Sequence, residues 1–145
     1  MLKWWIFITI AFIWISFLTA CSEKVTSPAA LLTSRPDPPT EYLEKRNPKG
    51  GNIETENAGR DVYRIHCVMC HGETGRGDGP VANSLNPKPQ SLAASQAGLS
   101  DGYLFWRISE GGQMKPFSSA MPTWKNILNE DEIWEIIAFL RTIKD

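Results

Sequence analysis

Cys67, Cys70 and His71 stand within five positions, in the run Cys67-Val68-Met69-Cys70-His71. On a helix, residues three and four apart share a face, so both sulfurs can reach the edge of one flat ligand while the imidazole turns toward its centre. That arrangement suits two thioether bonds to the vinyl groups of a haem and an imidazole nitrogen on its iron. Three other chemistries compete for the same residues. A zinc site wants four ligands, and only His66 stands close enough to add to these three. A thioredoxin-like redox pair expects a strand-helix-strand setting, and no alternating strand pattern is present. A plain disulfide leaves His71 without a role. The haem reading uses all three residues.

Something must hold the motif in place. Asn57 can cap a helix from Ala58 to about Cys70, with Gly59, Val62, Tyr63 and Ile65 on neighbouring faces. Beyond His71 come Gly72, Gly75, Gly77 and Gly79, then Pro80, Pro87 and Pro89, which predict a long loop with one turn at 81–85. Ser100 caps a second helix that runs to Glu110 and stops at Gly111-Gly112. Asn129 and Glu132 have capping-box spacing at the head of a third, where Ile133, Ile136, Ile137 and Leu140 recur every three to four residues and Leu128 can staple to Ile133. The expectation is an all-α domain over 57–145, three main helices with long loops. So little apolar core implies that a bound group fills the interior.

The chain has 145 residues and a formal net charge of -1, with 15 Lys plus Arg against 16 Asp plus Glu. No broad basic field exists for nucleic acid. Residues 1–20 carry Lys3 and then no charge from Trp4 to Ala20, the pattern of an export signal. The segment Leu18-Thr19-Ala20-Cys21 resembles the lipobox of bacterial lipoproteins, which makes Cys21 the lipidated first residue of the mature chain. The alternative is an uncleaved signal-anchor helix. Either places the remainder outside the cytoplasm, membrane-anchored and facing the periplasm or the outer side of the cytoplasmic membrane. Residues 21–56 hold five of the ten prolines and few large apolar side chains, and read as a flexible tether on which Tyr42 and Leu43 are candidates for docking.

Residues 58–145 resemble the class I c-type cytochromes. Gly59 and Tyr63 stand eight and four residues before Cys67, as in the family's first helix, and Phe139 resembles the terminal-helix aromatic that packs on that glycine. Gly79-Pro80 resembles the Gly-Pro whose proline carbonyl accepts a hydrogen bond from the outer nitrogen of the histidine. Ala120-Met121-Pro122 resembles the segment that carries the sixth iron ligand, which favours Met121 over Met114. His66 is expected to be a surface polar residue, and Trp106, Trp124 and Trp134 to be pocket wall and core.

The resemblance implies one covalent haem c held by Cys67, Cys70, His71 and Met121, with Pro80 in support. It implies an electron carrier, not an enzyme. Partners would be a quinol-oxidising complex or dehydrogenase on one side and a terminal oxidase or reductase on the other. Two other roles stay open: a fixed haem subunit of a larger respiratory complex, or a ligand-binding sensor or enzyme should Met121 leave the iron open.

Overall fold

In the computed structural model residues 35–144 are described; the expected signal segment and Cys21 lie outside them. Six α-helices and one short 3-10 turn are present among these residues, with no strand: α1 Thr40–Leu43, α2 Ile53–His66, α3 Val68–His71, the 3-10 turn Ala82–Ser84, α4 Leu92–Gln96, α5 Asp101–Glu110 and α6 Glu130–Thr142. None of them is long and apolar enough to cross a membrane.

Helix α6 begins as its sequence dictates. The Asn129 side chain accepts from Glu132 N at 3.0 Å, and the Glu132 carboxylate accepts from Asn129 N at 2.8 Å, so each residue takes one otherwise unpaired donor. Its apolar stripe is buried, Ile137 completely. Ser100 caps α5 by accepting from Tyr103 N, and Gly111 ends it at φ 71.

Helix α2 differs from expectation at both ends. It starts five residues earlier, at Ile53, because Asn52 accepts from Thr55 N at 3.0 Å and Glu54 and Glu56 face the positive end of the helix. It stops at His66, and Cys67 with φ -113 forms a junction from which α3 restarts. The motif therefore occupies its own short turn.

The packing of α2 across α6 organises the domain. A Cβ on Gly59 would fall inside the Glu135 carbonyl and stand 2.9 Å from Ile136 N, so the two backbones meet here without a side chain between them. Beside that contact Tyr63, 1% exposed, packs on Phe139 with ring centroids 5.1 Å apart. The Gly59, Tyr63 and Phe139 cluster matches the sequence expectation. Helix α4 is an addition to it. Its buried Gln96 donates to the Leu140 carbonyl near the end of α6, a hydrogen bond that no apolar pattern announces.

The segment before α2 is not tether throughout. From Pro36 onward it belongs to the folded unit. Tyr42 donates to Glu110 Oε1 at 2.9 Å, Asn47 Nδ2 donates to the Trp134 carbonyl at 2.8 Å, and Lys49 pairs with Asp131 and Glu135, each at 3.1 Å. Lys45 lies over the Phe105 ring. Leu43, by contrast, is exposed. The tether expected over 21–56 thus gives way to a strap from 36, fastened by polar groups and by contacts with the Phe105 ring where sequence patterning looks for apolar side chains.

The strap crosses α5 at Gly102, where a Cβ would strike the Tyr42 carbonyl. Gly102→Ala should therefore lift the strap at a cost of ~1 to 3 kcal/mol and expose Lys45, Arg46 and Lys49 to trypsin. Limited proteolysis with mass readout checks this; an unchanged cleavage rate within 36–52 would show that the strap is not seated on α5.

Candidate haem site

Cys70 N and His71 N both donate to the Cys67 carbonyl, at 3.2 and 2.9 Å, which winds the five motif residues into one turn. Both thiols are free and half-buried. Burial, with a smaller contribution from Cys70, pushes the Cys67 thiol up to about 12, so it stays protonated at neutral pH. A redox-active pair needs the opposite, a thiol made acidic by its surroundings.

The exit from the motif is held by Tyr63, whose hydroxyl donates to the Gly72 carbonyl at 2.8 Å. One side chain thus joins the α2–α6 packing to the residue directly after His71. Gly72 turns at φ 80, and Gly77 N donates back to the His71 carbonyl at 2.8 Å, folding the glycine loop against the motif. The sequence pattern pairs Tyr63 with the core and gives no sign of this bond.

Burial lowers the His71 pKa, which keeps the imidazole neutral, the form in which histidine binds metals. Its Nδ1 is buried without a hydrogen-bond partner. The expected bond from this ring to the Pro80 carbonyl is therefore not made. The loop runs close to α3 here: a Cβ on Gly79 would strike the backbone carbonyls of Val68 and Met69, and Val81 N donates to Met69 O at 3.1 Å. Pro80 itself is exposed.

The remaining candidate ligands, Met114 and Met121, lie in the segment between α5 and α6. Met121 is partly buried and packs against the hydrophobic core, together with Cys67, Val68 and Trp124. Met114, in the same segment, is not among the residues packed on that core. Trp124 meets the ring of His66 edge-on, with centroids 5.3 Å apart, so the methionine segment lies alongside the end of α2, one residue before Cys67. His66 is thus a partly buried contact between the two halves and not an isolated surface residue. Of the other two tryptophans among the described residues, Trp134 packs on Phe105 in a tilted pair with ring centroids 4.4 Å apart, and Trp106 sits between Tyr103 and Phe117.

The donor set fits a haem. Two free thiols can each form a thioether, a neutral imidazole stands one position beyond the second, and a thioether side chain packs on the core from a separate segment. Four ligating groups of a structural zinc site are not gathered: no cluster of three or more His, Cys, Asp or Glu able to hold a metal ion occurs among the described residues.

Comparison with known proteins agrees with this geometry. The chain is 30% identical over 93 residues to the cytochrome c subunit of alcohol dehydrogenase (quinone) from Gluconobacter oxydans (strain 621H), an alignment that covers 64% of this chain and 19% of the relative. The chain thus spans about a fifth of the curated relative that it matches. Among solved structures it resembles cytochrome CL of the marine methylotroph Methylophaga aminisulfidivorans, with TM-score 0.53, 21% identity and coverage of 90% of this chain and 73% of that one. It also resembles a chain of the reducing HAO-like protein complex of Kuenenia stuttgartiensis, with TM-score 0.57, 24% identity and coverage of 80% and 54%. These likenesses establish the all-α cytochrome c fold. The family model described as cytochrome C oxidase, cbb3-type, subunit III matches residues 54–140, from the first turn of α2 to the last turns of α6, and the chain belongs to that family and so to the c-type cytochromes, whose haem is held covalently.

Proposed function

We propose that this chain carries single electrons on one haem c, attached through Cys67 and Cys70 and ligated by His71 and Met121. Bound there, the haem supplies a one-electron Fe(III)/Fe(II) couple. The observation that carries this reading is a motif turn ending in a partly buried imidazole that burial keeps neutral, in a domain where a methionine from a separate segment packs on the core. Held by both His71 and Met121, the iron would have no place for a substrate. Cys67 and Cys70 fix the ring edge, Tyr63 and Gly72 hold the motif turn, and the buried apolar cluster keeps water from the site.

The chain works outside the cytoplasm in this proposal, anchored through lipid on Cys21. Its electrons come from a quinol-oxidising complex or a dehydrogenase and pass to a terminal oxidase or reductase. A fixed-subunit reading has its own support, since both the matching family and the Gluconobacter relative are named as subunits of larger oxidoreductases.

Gentle detergent solubilisation followed by native separation tells the two apart. A free carrier runs alone at the mass of one chain with one haem; a fixed subunit migrates with its complex. The haem is expected to remain with the denatured chain in acidified organic solvent, and to be lost there from a Cys67→Ala, Cys70→Ala double variant. Release from the wild-type chain would refute covalent attachment. Intact-mass measurement of the mature protein checks the anchor, since a chain that begins at Met1 without acyl groups contradicts lipidation at Cys21.

A further inference from the structure

The last four carbonyls of an α-helix have no partner within the helix and must find one outside it or in its cap. In α5 all four do. Gly111 N donates to Arg107 O at 3.1 Å, Trp124 N to Ile108 O at 3.3 Å and Lys125 N to Ser109 O at 3.2 Å. Thr123 Oγ1 donates to Glu110 O at 3.1 Å. Three of the four bonds thus come from the residues that directly follow Met121-Pro122.

The chain is also gripped on the near side of the methionine. Gly112 N donates to Met121 O at 2.9 Å, and Ser119 N donates to Gly112 O at 2.7 Å. Residues 113–118 leave and return at this one crossing. Gly111 has φ 71 and ψ -153, a region that essentially only glycine occupies. A Cβ there would stand 2.7 Å from the Met121 carbonyl and would strike that of Pro122.

We infer that the carbonyl end of α5 is the fixture that sets the position of Met121, with Gly111 and Thr123 as its positioning residues. This rests on the reading of Met121 as an iron ligand. Thr123 closes the last carbonyl of α5 and sets the register of the following backbone, two residues from the methionine. Gly111 permits the close crossing of two backbones from which Met121 projects. The excursion 113–118 is not part of the fixture, although Phe117 stacks on Arg107 beside it.

Carbon monoxide binding to the reduced, haem-loaded full-length protein reads the inference directly, because the gas enters only when the methionine has left. The near-infrared charge-transfer band of the oxidised protein reports the same bond. Thr123→Val keeps the side-chain shape and removes the donor, and should speed carbon monoxide binding roughly fivefold, the effect of one lost hydrogen bond on the detached population. Thr123→Ser keeps the hydroxyl and should restore the wild-type rate. Gly111→Ala should raise the rate by more than about tenfold and weaken the band. Gln113→Ala, exposed on the excursion, should change neither.

If Gly111→Ala fails to load haem, the Thr123 pair alone decides. Equal rates for Thr123→Val and wild type, or for Thr123→Val and Thr123→Ser, would overturn the inference while Met121→Ala still opens the iron. A Met121→Ala variant as closed as wild type would overturn the ligand reading itself and the inference with it, a different pattern of results.

Discussion

Gly59→Ala should lower the stability of the domain by ~3 kcal/mol or more, or prevent its accumulation altogether. Helix propensity points the other way, since alanine inside a helix is favoured over glycine by about 1 kcal/mol. Packing decides the sign. At Gly59 the added carbon would meet the Glu135 carbonyl and the Ile136 amide, which are backbone atoms of α6 and cannot swing aside as a side chain would. The helices would have to separate along their whole contact, opening the Tyr63–Phe139 pair and loosening the Tyr63 bond to Gly72. A domain with ~5 to 15 kcal/mol in total has little margin for that loss. Asn57→Ala provides the control. It lies on the same helix, is exposed, and should stabilise slightly through propensity alone. Urea denaturation of both variants measures the difference, and a midpoint for Gly59→Ala equal to or above that of wild type would mean that α2 and α6 do not cross at this residue.

Residues that act on their own neighbours are legible in the chain's spelling. The Asn129–Glu132 box, the Ser100 cap and the Gly111 stop each depend on spacing within one turn, and each forms as expected. The Cys67, Cys70 and His71 trio is equally local, and its turn is present. What escapes such reading depends on polar side chains and on partners far along the chain. Helix α2 begins earlier than its apolar pattern predicts because Ile53 to Glu56 is mostly polar, yet the Asn52 side chain supplies the cap. The strap has the composition of a tether because Asn47, Lys49 and Tyr42 bind residues 54 to 87 positions away through single hydrogen bonds and ion pairs, which leave no periodic trace. The bond expected of Pro80 rests on resemblance alone, and no local spacing signals how closely Gly79 approaches the carbonyls of α3. The pairing of His66 with Trp124 has no local signal either. Local spacing thus locates the helices, their caps and the turn of the motif. The way the segment after Met121 is held by hydrogen bonds to the end of another helix emerges only in the folded chain.

Met121→Ala should convert a closed site into an open one while leaving the chain folded and the haem attached. The methionine side chain packs on the core from a loop, so its truncation removes one contact at the edge of the buried cluster, and the α2–α6 crossing and the motif turn do not depend on it. A thioether is a neutral, weak donor that favours Fe(II); water or another oxygen or nitrogen donor in its place favours Fe(III). The reduction potential should therefore fall by on the order of 0.1 V or more, a part of the ~0.8 V range that axial ligands command. The near-infrared band should vanish, and carbon monoxide or cyanide should bind readily. Met114→Ala is the decisive companion. Met114 lies in the same segment but outside the core packing, and its loss should alter neither band nor potential. Reversal of the two results would move the sixth ligand to Met114 and detach the role of α5 from it. Rapid carbon monoxide binding by the wild-type protein would reject the closed site itself, and a ligand-binding sensor or enzyme would then account better for a partly buried imidazole beside two thiols.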